Sequence, residues 1–141
     1  MAVRTADAQW EGSLQDGTGT MRLGSGAFEG RYSFASRFED GPGTNPEELI
    51  GAAHAGCFSM ALSLMLGNEG LTADRIETQA EVTLDKVGEG FEITASHLDV
   101  VAKIPGADQA KFERIANKAK ESCPVSKLLK AKITMNARLE T

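Results

Sequence analysis

Two cysteines are the most reactive residues of this 141-residue sequence. Cys57 lies in the most apolar segment, GTNPEELIGAAHAGCFSMALSLML (residues 43–66), and Cys123 directly precedes Pro124 in CPVSKLLKA. A cysteine thiolate is a strong nucleophile and can be oxidised reversibly, so thiol chemistry is the first reaction to consider. Because the two residues are 66 positions apart, they form neither a CxxC dithiol nor a zinc knuckle.

Each cysteine also has an ordinary structural explanation. Free cysteine is among the most buried residue types, and by periodicity Cys57 is a small core residue. Cys123 closes an apolar stripe, but it also precedes a predicted short helix whose free N–H groups would lower the pKa of its thiol. The residues around Cys57 are small and let another backbone approach closely, which favours packing against a second copy of the chain: Gly51, Ala52, Ala53, Ala55 and Gly56.

A histidine accompanies the first cysteine. His54 precedes Cys57 by three residues, so on a helix both side chains lie on one face, and a Cys–His nucleophilic pair is conceivable. A zinc site would need more ligands, and His97 is the only other histidine. We expect His54 to be a core histidine that is hydrogen-bonded to the backbone.

Two charged residues lie near the apolar segment. Arg37, in SRFED, is most simply a solvated charge, and Glu47 a carboxylate that complements a helix N-terminus. Glu47 and Cys57 are ten residues apart, which is about 15 Å along a continuous helix. They can share a site only if Glu47 lies off the helix or comes from a partner chain.

The elements that position these residues follow from periodicity and turn signals. We predict an α+β fold with the order βββ-α-ββ-α-α-β, forming a single domain over residues 1–141. The predicted elements are strands at 8–13 and 18–23, extended segments around Phe28 and over 32–38, a helix from Pro46 to about Leu66, a hairpin of 77–85 and 91–104, a helix from about Asp108, a short helix at 125–130 and a strand at 133–139.

The long helix is apolar nearly all round, which predicts burial on most of its sides. Its eighteen residues from Leu49 reach the length of a membrane span. Its glycines, serines and His54, together with the acidic flank and the lack of a basic one, argue against a membrane. A small sheet cannot easily cover such a helix, so we expect it to pack against its twin in a homodimer.

Composition limits the other functions. The net charge of −5 and the aromatic content of 6% disfavour binding to nucleic acid. The N-terminal residues lack the apolar core of a signal peptide, which favours a cytoplasmic location where thiols stay reduced.

Five motifs together resemble one family, the OsmC/Ohr peroxidases (osmotically inducible protein C and organic hydroperoxide resistance protein), and its OsmC branch in particular. They are QWEG at 9–12, SRFE at 36–39, the apolar segment at 43–66, LDKV at 84–87 and CPVSKLLKA at 123–131. NPEEL followed by a cysteine and then CPVS is more specific than either cysteine alone. The resemblance spans nearly the whole chain.

The resemblance implies a role for four residues. Cys57 matches the peroxidatic cysteine, Cys123 the resolving cysteine, Arg37 the arginine that stabilises the thiolate, and Glu47 the glutamate that orients this arginine. It also implies an OsmC-like fold as an intertwined homodimer with central apolar helices and two sites at the interface. The implied reaction reduces organic hydroperoxides, and possibly hydrogen peroxide, through a Cys57–Cys123 disulfide.

The implied partners are a hydroperoxide and a dithiol reductant such as a lipoyl protein, and no cofactor or metal is expected. Two alternatives without turnover remain: a dimer that binds a small apolar ligand with inert thiols, and a redox sensor whose disulfide alters a contact. Under the first alternative, iodoacetamide near pH 6 would label Cys57 no faster than it labels a model thiol. Under the second, oxidation of the cysteines would be slow and non-catalytic, unlike that of an enzyme.

Overall fold

The computed structural model describes residues 1–141, and the chain divides into two compact units, Met1–Leu49 and Ile50–Thr141. The N-terminal unit contains β1 (Ala6–Glu11), β2 (Thr18–Leu23), β3 (Glu29–Tyr32) and the short helix α1 (Phe34–Phe38). Helix α2 (Pro46–Asn68) begins in this unit and continues into the C-terminal unit. Its first turn therefore belongs to one unit and the rest to the other.

The N-terminal unit is built on an antiparallel sheet in the order β1-β2-β3. The predicted hairpin is confirmed, although its first strand begins two residues earlier than expected. Gly19 pairs with Trp10 on one side and with Tyr32 on the other. A Cβ at Gly19 would come within 2.6 Å of each ring, so only glycine lets the two rings meet, with their centroids 5.4 Å apart.

Residues 34–38 are not extended, so the prediction of an extended segment over 32–38 is wrong from Phe34 onward. Phe34–Phe38 forms α1 because Ser33 and Ser36 make a capping box. The Ser33 hydroxyl accepts from the Ser36 N–H, and the Ser36 hydroxyl accepts from the Ser33 N–H. The aromatic residues favour a strand, but two satisfied backbone donors determine a helical turn here.

Helix α2 begins as predicted. The Asn45 side chain accepts a 2.7 Å hydrogen bond from the Glu48 N–H, and Pro46 occupies the first helical position. The helix ends at Asn68, and Gly70, with φ of +76°, makes the turn that follows.

The C-terminal unit contains β4 (Arg75–Val87), β5 (Gly90–Lys103), α3 (Gln109–Ser122), α4 (Pro124–Leu128) and β6 (Lys132–Glu140). The predicted hairpin, amphipathic helix and last strand are confirmed. The short helix begins at Pro124 itself and ends two residues early, because proline suits the first helical position. Strand β6 pairs with β5 in parallel, so α3 and α4 form the crossover between these strands.

The core of the C-terminal unit joins α2, α3 and the sheet. The predicted stripe of α3 is fully buried and ends at Cys123, which directly follows the helix. The buried apolar residues are Phe58, Leu62, Leu66, Leu98, Val100, Ala102, Ile104, Phe112, Ile115, Ala116, Ala119 and Cys123.

Helix α2 buries one face only, so the expectation of burial on most sides does not hold within one chain. Phe58 and Leu62 are fully buried, whereas Met60 is 78% and Leu64 66% exposed. By length and composition α2 is the one helix that could cross a membrane, a test that the core helix of a water-soluble protein also passes. Only 28% of its most apolar window is buried.

Replacing Phe112, the one aromatic residue of α3, should destabilise the fold strongly. Phe112→Ala leaves a cavity in a fully buried site, so the free energy of unfolding should fall by about 3 to 5 kcal/mol in chemical denaturation. Lys118→Ala, on the exposed face of the same helix, should change it by less than about 0.5 kcal/mol. Equal losses in both variants would contradict this location of the core.

Candidate active site

The two thiols of the C-terminal unit are in contact. Cys57 lies on α2 and Cys123 at the N-cap of α4, and their Sγ atoms are 3.0 Å apart. Both are free thiols, Cys57 half-buried and Cys123 fully buried. A disulfide bond is about 2.05 Å long, so an approach of about 1 Å would join the two sulfurs.

The surroundings of the two thiols shift their pKa values in opposite directions. Burial raises the pKa of Cys57, and the Cys123 thiol raises it further, against an opposing contribution from the Val125 N–H. Burial acts to raise the pKa of Cys123 as well, but its hydrogen bonds with the Cys57 thiol, with the N–H and hydroxyl of Ser126 and with the Val125 N–H lower it below its ordinary value. Within one chain, Cys123 is therefore the more acidic thiol.

His54 is a buried core histidine, as expected, but its partners are side chains and not the backbone. Its Nδ1 lies 2.7 Å from the Ser96 hydroxyl of β5, and its Nε2 lies 2.8 Å from the Ser126 hydroxyl of α4. Both ring nitrogens are thus occupied, which leaves none to pair with Cys57. Burial lowers the pKa of His54, so the ring is neutral at pH 7.

Arg37 and Glu47 form a bidentate ion pair within the N-terminal unit. The arginine Nε and Nη2 atoms lie 2.9 and 3.0 Å from the two carboxylate oxygens. The Glu47 side chain is 10% exposed and the Arg37 side chain 36% exposed. Arg37 is therefore not a solvated charge, since this carboxylate holds its guanidinium in a fixed orientation.

An apolar cleft of about 240 Å³ opens beside Arg37 in the same unit. The guanidinium lies 5.3 Å from the centre of the Phe38 ring, a cation–π distance. The lining residues are Trp10, Leu14, Tyr32, Ser33, Phe34, Arg37 and Phe38. A molecule in this cleft would have aromatic rings around its apolar part and one fixed cation beside it.

The sequence-predicted residues thus form two pairs. Cys57 meets Cys123, and Arg37 meets Glu47. The second pair is tied to α2 by its glutamate, in the first turn, ten residues before Cys57. Glu47 does not lie off the helix, so the separation of about 15 Å along the helix axis applies.

The sequence interpretation missed the two serines and the aromatic cleft. Ser126 follows Cys123 by three residues, just as Cys57 follows His54 by three. This matched spacing is a signal that could have paired His54 with Ser126 once the two cysteines were paired. Phe34 and Phe38 are four residues apart on one face of α1, with ring centroids 5.0 Å apart. Ser96 left no such signal, because its partner is 42 residues away.

Comparison with known proteins identifies the family. The family model described as OsmC-like protein matches residues 39–138. The chain belongs to this family. Among its relatives, the protein named Peroxiredoxin OsmC from Escherichia coli (strain K12) is 51% identical over 139 residues, covering 98% of this chain and 97% of that protein.

A second branch of the family is also related. The organic hydroperoxide resistance protein OhrB of Bacillus subtilis (strain 168) is 31% identical over 99 residues, covering 70% of this chain and 71% of that protein. The structure of an OsmC-like protein from Vibrio cholerae O1 biovar eltor superposes with a TM-score of 0.78 at 15% identity, covering 97% of this chain and 99% of that one. This likeness confirms the predicted α+β, OsmC-like fold.

The lowered pKa of His54 predicts a loss of stability in acid. The unfolded chain takes up a proton near pH 6.5 and the folded chain only at lower pH, so the free energy of unfolding should decrease as the pH falls below 6.5. The loss should level off once the pH is below the folded pKa. Denaturant titrations between pH 8 and pH 5 would measure it.

The variant His54→Gln provides the control because it has no titratable group at this position and retains His97. The difference in stability between wild type and variant should be constant above pH 6.5 and should shift against the wild type below it. A difference that does not change with pH would show that burial does not lower the pKa of this histidine.

Proposed function

We propose that this chain reduces organic hydroperoxides to alcohols, with Cys57 as the nucleophile and Cys123 as the resolving thiol. The activity, a thiol-dependent peroxidase, agrees with the names of its relatives: a peroxiredoxin at 51% identity and organic hydroperoxide resistance proteins at about 30%. The observation that carries the assignment of residues is the 3.0 Å contact between the two sulfurs. Such a pair can be oxidised and reduced without a large movement.

The reaction takes place on sulfur. The Cys57 thiolate attacks the terminal oxygen of the hydroperoxide, the O–O bond breaks, and the alkoxide takes a proton and leaves as an alcohol. The Cys57 sulfenic acid then condenses with Cys123, giving a disulfide and water. An external dithiol reduces this disulfide by thiol–disulfide exchange and is itself oxidised.

Arg37 supplies the charge that Cys57 needs, held by Glu47. Burial alone raises the pKa of Cys57, so the thiolate requires a cation close to it. Glu47 precedes Cys57 by ten residues on the same helix, which corresponds to about 15 Å along the helix axis. We infer that each Arg37–Glu47 pair serves the Cys57 of a second chain in a homodimer.

The exposed face of α2 supports the homodimer. This face carries small and apolar residues, and a Cβ added at Gly56 would meet no atom within 4 Å. Met60 and Leu64 are largely exposed on it, which is costly for a water-soluble protein. Pairing α2 with its twin, as in an intertwined dimer with central helices, would bury this face.

The aromatic cleft beside Arg37 suits the organic part of the substrate. Its rings offer apolar contact to an alkyl or aryl group, and the guanidinium offers a positive charge to the peroxide group of the same molecule. The finer assignments of the proposal are a dithiol reductant such as a lipoyl protein, a cytoplasmic location and one peroxidase domain spanning residues 1–141. Nucleic acid and membranes have no part in it.

Replacing each cysteine should stop the peroxidase cycle at a different step. Cys57→Ser removes the nucleophile, so consumption of an organic hydroperoxide with excess dithiol should be abolished. Cys123→Ser keeps the nucleophile but loses the resolving thiol, so it should give one slow or self-inactivating turnover. If both variants keep full turnover, the proposed function is wrong.

Two inactive variants should restore activity when they are combined. Cys57→Ser and Arg37→Met chains are each expected to be inactive as homodimers. If the arginine acts on the partner's thiol, a heterodimer has one intact site, so unfolding the two together and refolding should recover about a quarter of wild-type activity. Chains refolded separately and then mixed briefly are the control, and no recovery after joint refolding would place both residues in the site of one chain.

A further inference from the structure

A line of hydrogen bonds connects a buried histidine to the resolving thiol. Ser96 contacts His54, His54 contacts Ser126, and Ser126 acts on the sulfur of Cys123 through its hydroxyl and its N–H. Ser96, His54 and Cys123 are each fully buried. The peroxidase steps described above make no use of Ser96, His54 or Ser126.

The two helices are joined by two contacts in matching positions. On α2, Cys57 follows His54 by one turn, and on the other side Ser126 follows Cys123 by the same spacing. The His54–Ser126 hydrogen bond therefore lies beside the sulfur–sulfur contact and connects the same two elements. A movement of α4 as a whole away from α2 would therefore lengthen both contacts together.

The direction of the hydrogen bonds follows from the charge of the ring. A neutral imidazole has one donor and one acceptor nitrogen. If Nδ1 accepts from the Ser96 hydroxyl, Nε2 carries the proton and donates to Ser126 Oγ. The hydroxyl hydrogen of Ser126 is then free to point to Cys123, where it stabilises a thiolate.

We propose that His54, oriented by Ser96, is a positioning residue for disulfide formation: through Ser126 it holds the Cys123 sulfur against Cys57 and favours its thiolate form. In that step the Cys123 thiolate attacks the sulfur of the Cys57 sulfenic acid, the S–O bond breaks, and the departing hydroxide takes a proton to become water. This inference rests on the proposed function, since it requires a sulfenic acid at Cys57. It concerns the second step only.

The test separates the two steps of one oxidation. Fully reduced protein is mixed with tert-butyl hydroperoxide and quenched at intervals with dimedone, which traps the sulfenic acid, and with iodoacetamide, which traps free thiols. Mass spectrometry then follows sulfenic acid and disulfide separately. Excess hydroperoxide in a second series measures how much Cys57 proceeds to sulfinic acid.

Ser126→Ala and His54→Asn are the informative variants. Asparagine places its amide near the Nδ1 position and keeps the Ser96 contact, but it does not reach Ser126. Both variants should form the sulfenic acid at the wild-type rate, form the disulfide about tenfold more slowly and accumulate more sulfinic acid. His54→Gln, whose amide reaches the Nε2 position, should restore much of the disulfide rate.

A control and the contrary outcomes complete the design. Ser59 also lies on α2 and shares a 2.7 Å hydrogen bond with Thr78, away from the sulfurs, so Ser59→Ala should change neither step. Wild-type rates of disulfide formation in both informative variants would overturn the inference. So would equal slowing of the two steps, or a His54→Gln variant as slow as His54→Asn. A wild-type protein that forms no sulfenic acid would instead overturn the proposed function.

Ser126→Ala keeps the test valid if the histidine variants fail to fold. Ser126 is only partly buried on a short helix, and alanine removes one oxygen without adding volume. The inference would then be decided by this variant alone, from the same two rates.

Discussion

The contact between two sulfurs from distant parts of the chain is the constraint on which the candidate active site depends. Cys57 lies on α2 and Cys123 at the start of the five-residue helix α4, so the beginning of α4 has to be held against α2 for the two sulfurs to lie 3.0 Å apart. Pro124 fixes where α4 begins, because proline ends the preceding helix and suits the first position of the next. The fold therefore determines the distance at which the thiols react.

The crossover in the C-terminal unit positions Cys123 for this contact. Because β6 runs parallel to β5, the chain must return along the sheet through α3 and α4. The buried stripe of α3 packs this crossover onto the core. Cys123 directly follows α3 and is fully buried. A thiol in that position is shielded from solvent by the apolar core and also contacts its partner sulfur and the polar groups of α4.

Much of this arrangement could be predicted from the sequence, for identifiable reasons. The stripe of α3 and the alternation in β4 have strong periods, and the turn at Gly88 is marked by glycine, so these elements were placed correctly. Helix α1 was missed because its capping box uses two serines within an aromatic segment that favours a strand. Local propensity gave the wrong answer where a pair of side-chain hydrogen bonds decided it.

The surroundings of the functional residues were harder to predict than the residues themselves. The resemblance named four side chains, but it did not show that His54 bonds two hydroxyls, since Ser96 and Ser126 are 42 and 72 residues away. Periodicity also indicates burial on most sides of α2, which a single chain does not provide. Contacts that depend on tertiary packing, or on a second chain, leave no periodic signal in one sequence.

The continuity of α2 between Glu47 and Cys57 has a consequence for how this segment can change. Inserting or deleting one residue there would turn the thiol by about 100° and shift it by about 1.5 Å relative to the carboxylate. Apart from His54, the intervening side chains can vary more freely than their number, because a change in number would alter the alignment of the two ends. In the homodimer proposed above, the number of residues between Glu47 and Cys57 would therefore be under stronger constraint than their identity.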